Sequence, residues 1–182
     1  RRGAETSGDI DIIINDQPTF DQFIKDLVDK NIIVEMLTDG KTKKLTVAQL
    51  PGKTPRRIDF LYSPPDEYAF AILYFTGSKE FNTSVRERSL KLGFSINEHG
   101  FSKMEGKKKG DKLNQEFKSE KDTIDFLKIK YREPSQRNSD NLEEIIEISQ
   151  PKSDNSPKKT TRKKRDSNKK NKILEKIEEL LL

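Results

Sequence analysis

"RRGAETSGDIDIII", residues 1–14, ends in a short apolar run that carries two acids, Asp9 and Asp11, two residues apart. Successive side chains of an extended strand alternate faces, so residues i and i+2 share one. Asp9 and Asp11 then stand side by side, while Ile10, Ile12 and Ile14 turn the other way into a core. Like charges that close repel. Two settings tolerate the pair: the solvated face of an antiparallel strand, or a bound cation. A third acid has the same surroundings. In "RRIDFLY", residues 56–62, Asp59 opposes Ile58 and Phe60. If the two strands are neighbours, three carboxylates meet on one face. Hard divalent cations such as Mg²⁺ take oxygen ligands, usually one or two carboxylates plus substrate phosphates. Two such ions about 3.5–4 Å apart serve an in-line phosphoryl displacement. Gly8, ahead of the strand, lets a phosphate approach the backbone. Arg1 and Arg2 offer guanidinium groups for a triphosphate.

Composition narrows the choices. The chain has 182 residues, enough for one ordinary domain or two small ones. Charged residues reach 37% against 31% hydrophobic, too polar for the whole chain to pack around a core. The absence of cysteine excludes disulfides, thiolate metal sites and a cysteine nucleophile, and a single histidine excludes a His-rich zinc site. No apolar run approaches the ~18 residues of a membrane span, and no signal peptide is visible. The net charge of +5 is unevenly placed. Residues 152–172 hold ten Lys/Arg and two Asp, leaving 26 basic and 29 acidic residues elsewhere.

The hydrophobic pattern predicts α+β. Phe20, Phe23, Ile24, Leu27 and Val28 fall at helical spacing, with Asp16 or Thr19 as the cap. "VEMLTDGKTKKLTVAQL" reads as a hairpin turning at Asp39-Gly40, "PGKTP" as a loop, and "RRIDFLY" as a strand closed by Ser63-Pro64-Pro65. "DEYAFAILYFTG" is helical up to Gly77, and "SKEFNTSVRERSLKLG" is helical up to Gly93. "FSINEHGFSKME" reads as strand and turn, and "GKKKGDKLNQEF" as a basic loop. "SEKDTIDFLKIKYREPSQRN" starts from a Ser119 cap and runs as a helix to Pro134. Residues 139–172 are expected to be a disordered basic linker, in which "QPKSDNSPKKTTRKKRDSNKKNK", residues 150–172, has almost nothing apolar. "ILEKIEELLL", residues 173–182, is an amphipathic helix too short to be stable alone.

"RRGAETSGDIDIII", "RRIDFLY", "YFTGSKEFNTSVRERSLKLGFSINEHG" and "KYREPSQRN" together resemble the X-family of DNA polymerases, the polymerase beta-like group, over residues 1–138 in the right order. The resemblance implies a nucleotidyltransferase palm with a mixed β-sheet and flanking helices over residues 1–66. A smaller α/β thumb, the nucleotide-selecting subdomain, follows over residues 67–138. It implies that Asp9 and Asp11 bind two Mg²⁺ ions, with Mn²⁺ as a substitute. Asp59 binds the catalytic ion near the primer 3′-hydroxyl and accepts its proton or neighbours the acceptor. Arg2 and Gly8 match the triphosphate site. Tyr74, Phe75 and Gly77 match the segment against the nucleotide sugar, and Asn82 matches a residue at the minor-groove edge of the incoming base. Arg57 matches a basic residue near the primer end, and Arg86 one that touches the template. Asn97 and Glu98 match positions that respond to closure.

These roles suit the residue types. A ring against the sugar excludes a 2′-hydroxyl by bulk. An asparagine amide reaches acceptors common to all minor-groove edges. Core packing for Tyr74 and Phe75 and a solvated charge for Arg86 are the plainer alternatives. There are departures as well. The stretch begins after the family's Gly-Ser pair, its upstream DNA-gripping region and the lyase domain of many members, and so reads as a fragment. Lys79 stands in place of an acid. His99 replaces an aromatic hydroxyl and reads as a turn histidine without a partner.

The expected activity is DNA-directed addition of deoxynucleotides to a primer 3′ end, filling short gaps in base excision repair or end joining. Gapped or primer-template DNA and a dNTP are the partners, with no membrane. Template-independent nucleotidyl transfer and a noncatalytic DNA-binding fragment are the alternatives. "PKKTTRKKR" suits a nuclear-localisation signal, a phosphate-binding arm or a solvated linker. The expected location is the nucleus, or a viral replication site if a virus encodes the chain.

Overall fold

The computed structural model describes residues 1–138, 142, 143 and 177. The first strand, β1 (Ile10–Ile14), leads into helix α1 (Gln17–Asp29), and three strands follow: β2 (Ile33–Asp39), β3 (Lys43–Ala48) and β4 (Arg56–Tyr62). They form one mixed sheet in the order β1-β4-β3-β2, with β1 parallel to β4 and the other pairs antiparallel. The expected hairpin turns where Gly40 donates its N–H to the Lys43 carbonyl.

Helix α1 begins at Asp16, whose carboxylate accepts from the Thr19 N–H at 3.1 Å. Capping of this kind satisfies one of the orphan donors of the first turn. Its stripe of Phe20, Phe23, Ile24 and Leu27 packs against Ile14, Ile58 and Phe60 from the sheet. Val28, expected on this stripe, is 42% exposed and lies beyond its edge. Of residues 173–182 only Ile177 is described. It is helical and buried in this same core. Of the expected disordered linker, residues 139–172, only Leu142 and Glu143 are described, and the Glu143 carbonyl accepts from the Lys130 N–H at 2.8 Å; the rest of that expectation lies outside the described residues.

A second core belongs to helices α2 (Tyr68–Thr76) and α3 (Lys79–Lys91), strands β5 (Phe94–Asn97), β6 (Gly100–Glu105) and β7 (Lys108–Lys112), and helix α4 (Glu120–Phe126). The three strands form an antiparallel sheet in the order β5-β6-β7. Phe70, Phe94, Phe101, Phe117 and Phe126 interlock with ring centroids 4.7–6.1 Å apart.

Two expectations need correction here. The basic segment after Gly106 is not a loop but strand β7. Nothing apolar marks it, because it holds its place through the backbone ladder with β6, and lysines suit an edge strand. The helix after Ser119 does not run to Pro134. It ends at Phe126, Lys128 takes a left-handed φ of 54°, and a 3₁₀ turn covers Pro134–Gln136. From Leu127 the apolar residues recur at Leu127, Ile129 and Tyr131, a two-residue period that suits extended chain. Leu127 and Ile129 are fully buried on that basis.

Candidate active site

The parallel pairing of β1 with β4 sets Asp11 directly beside Asp59, flanked by the pairs Ile10–Ile58 and Ile12–Phe60. The isoleucines and Phe60 face the core, so the aspartates share the opposite face. Asp9, one residue ahead of β1, is on the same side. Asp59 is 3% exposed, because β4 lies between β1 and β3. Asp9 and Asp11 belong to the edge and are more open.

The cations on this face are now specific. Arg57, two residues before Asp59 on β4, grips it with both ends of its fork, Nε to Oδ1 at 2.9 Å and Nη2 to Oδ2 at 3.0 Å. The same Nε is 4.0 Å from Asp9 Oδ2. Lys43 Nζ, from β3, stands 3.8 Å from Asp59 Oδ2. Asp11 is left with the least compensation. Partial burial raises its pKa above the usual carboxylate range, and Asp9 and Asp59 push it further the same way. Among the described residues no group of three or more His, Asp or Glu side chains is already arranged around a metal position. The donor chemistry nevertheless fits a hard divalent ion: every candidate donor is a carboxylate oxygen, and Asp11 lies in excess negative charge.

The second group of predicted residues gathers where α2 ends and α3 begins, with α2 packed beside β1. Gly77 has φ 66° and ψ −156°, a region that essentially only glycine occupies. A Cβ there would come within 2.7 Å of Arg2 Nη1. That same Nη1 donates to the Thr76 carbonyl at 2.6 Å, while Arg2 Nε is buried with no hydrogen-bond partner. Tyr74 and Phe75 meet edge to face with centroids 4.9 Å apart. Asn82 donates its amide to the Tyr74 carbonyl at 2.7 Å, and the Arg86 guanidinium lies 5.1 Å over the Tyr74 ring. Ser78 caps α3 by accepting from the Phe81 N–H. Gly8 has no neighbouring atom within 4 Å of a built Cβ, so the backbone there is open to approach.

Arg1 does not join Arg2 as a free clamp. It donates to both oxygens of Glu120, at 3.0 and 3.2 Å, and to the Thr76 hydroxyl. His99 is not partnerless: its Nδ1 is 2.7 Å from Glu67 Oε2, and Lys112 donates to the other Glu67 oxygen at 2.7 Å. Burial opposes ionisation of Glu67, but these two bonds outweigh it and leave its pKa below the usual range. Sequence reasoning missed Lys43 and Glu120 altogether. Alternation within the hairpin places Lys43 on one face or the other, but only the β3–β4 register brings it to Asp59.

Residues 1–65 match the DNA polymerase beta palm family and residues 71–138 the DNA polymerase beta thumb family. The chain is 34% identical over 155 residues to DNA polymerase lambda of Rattus norvegicus, covering 75% of this chain and 27% of that protein. This chain belongs to the X-family of DNA polymerases. Another relative, DNA polymerase lambda of Arabidopsis thaliana, is 28% identical over 160 residues, covering 76% of this chain and 30% of that protein. DNA polymerase IV of Saccharomyces cerevisiae is 31% identical over 87 residues, covering 48% and 14%. The chain thus spans less than a third of each of these X-family relatives. The mixed sheet with the three aspartates is the X-family palm, and the second core with its antiparallel sheet is the thumb.

Proposed function

We propose that this chain is the palm and nucleotide-selecting thumb of a DNA-directed DNA polymerase that fills short gaps during repair. The observation that carries the reading is the register of β1 on β4, which aligns Asp11 with Asp59 on one face and brings Asp9 alongside. Asp9 and Asp11 would hold two divalent ions, and Asp59 one of them. When bound, Mg²⁺ supplies Lewis acidity and charge neutralisation for in-line phosphoryl displacement. Such a reaction asks the protein for positioning and charge compensation more than covalent help. Asp59 would release Arg57 to take up this role and would stand nearest the primer 3′-hydroxyl proton. Arg2 would hold the triphosphate. Tyr74, Phe75 and Gly77 would pack against the sugar, Asn82 would check the base edge and Arg86 would meet the template.

The test is primer extension on a one-nucleotide-gapped duplex with Mg²⁺, using the full-length parent and its Asp59→Ala variant. Templated addition of one matching nucleotide is expected, and the variant should lose about 10²–10⁴-fold in rate. Addition that ignores the template would favour a template-independent transferase. Gapped-DNA binding without addition would leave a noncatalytic DNA-binding relative.

A further inference from the structure

We infer that residues 173–182 are a second covering helix for the palm, seated in its core through Ile177 and tethered from the thumb at Glu143. The contact is independent of the polymerase reading. It starts from the place of Ile177, which is helical, 2% exposed and part of the same cluster as Phe20, Phe23, Ile58 and Phe60. A helix of about ten residues does not hold in water by propensity alone, so its order has to come from packing. "ILEKIEELLL" is patterned for one packed side. At about 100° per residue, Ile173, Leu174, Leu180 and Leu181 all fall within about 60° of Ile177, while Glu175 and Glu179 fall on the reverse.

The palm has room for such a cover. Four strands about 4.8 Å apart set the outer two about 14 Å from each other, wider than the ~10 Å of one helix with its side chains. Helix α1 alone therefore leaves margins. Ile10 and Ile12 of β1 and Met36 of β2 pack against the core yet stay only partly buried. The chain also sets out from a fixed point. Leu142 packs against the thumb core, the Glu143 carbonyl accepts from the Lys130 N–H at 2.8 Å, and Lys130 Nζ donates to Glu143 Oε2 at 2.9 Å. Residues 144–176 can reach about 110 Å when extended, so the tether's length does not forbid the contact. Joining both partners in one chain gives an effective concentration on the order of a millimolar, which keeps a short helix with a small contact seated.

Hydrogen exchange on the full-length parent tests the docking. Amides within residues 173–182 should exchange at least about tenfold more slowly than an unstructured peptide of the same sequence, at protein concentrations from micromolar upward. Ile177→Ala should abolish that protection and lower the protection of α1 by about thirtyfold, as expected for emptying a packed core position. Ile177→Val, which folds more readily, should show a graded loss of a few-fold in both places. Glu179→Ala, on the reverse of the helix, should stay within about twofold of the parent throughout. Unprotected amides over residues 173–182 in the parent would overturn the inference. Protection there, with α1 unchanged in both Ile177 variants, would also overturn it, because the helix would then pack elsewhere. Protection that appears only as the protein is concentrated would assign this face to a second copy and overturn docking within one chain.

Discussion

At the scale of residues, the three aspartates owe their candidacy to their neighbours. An acid between Ile10 and Ile12, and another between Ile58 and Phe60, cannot follow the apolar side chains inward, so alternation names the face they occupy. The same logic does not reach their counter-charges. Arg57 and Asp59 are i and i+2, and their pairing is legible in hindsight, whereas Lys43 comes from another strand. Gly77 makes the sharpest case of one residue serving two needs. Its backbone requires glycine, and its missing Cβ leaves room for Arg2. Gly77→Ala is expected to cost about 1–3 kcal/mol in backbone strain. It should also raise the KM for dNTP by displacing Arg2, since the guanidinium tip can move more readily than backbone. Denaturant unfolding and steady-state kinetics on the same variant measure the two effects separately. An unchanged KM would mean that Arg2 does not reach the nucleotide from this position.

At the scale of elements, caps and stripes were readable, and ladders were not. Of the expected caps, Asp16 rather than Thr19 begins α1 and Ser119 begins α4, completing a reciprocal box with Asp122; Ser78 caps α3 in the same way. Strand β7 had no such signal. A strand of lysines with a glycine reads as a loop in sequence, and only hydrogen bonds to β6 make it a strand. The end of α4 was misjudged for the opposite reason: helical and extended spacing overlap at Leu127, and burial of Ile129 favoured the extended path. The phenylalanine cluster joins these thumb elements. Phe101 of β6, 1% exposed, touches Phe70 of α2, Phe94 of β5, Phe117 ahead of α4 and Phe126 at the end of α4. Phe101→Ala should therefore cost about 3–5 kcal/mol. Hydrogen exchange should rise across β5, β6 and α4 while the palm sheet keeps its protection. Uniform loss of protection in both sheets would show that the two cores unfold as one.

At the scale of the whole molecule, the Arg1–Glu120–Arg137 network joins the two cores and gives them a shared pH limit. Burial alone would raise the Glu120 pKa, but hydrogen bonds from Arg1, Arg137 and Tyr131 outweigh it and bring it from 4.5 to about 2. A carboxylate whose folded pKa lies below its unfolded one stabilises the fold above the unfolded pKa. That stability disappears as pH falls from about 4.5 through 2, and the shift is worth about 3 kcal/mol. Unfolding free energy should fall over this window, and the Glu120→Gln variant, already lacking the charge, should show a shallower fall. Parallel slopes for the two proteins would mean that other carboxylates set the acid limit. By itself the sequence determined helices α1 to α3, the start of α4, the strands of the palm and the face on which Asp9, Asp11 and Asp59 lie, because periodicity and capping are local properties of the chain. Only the tertiary structure decided that β1 runs parallel beside β4, that Lys43 and Arg57 attend Asp59, and that Arg1 belongs to Glu120. Those outcomes depend on register and on charges far apart in sequence, which meet only after both cores have formed.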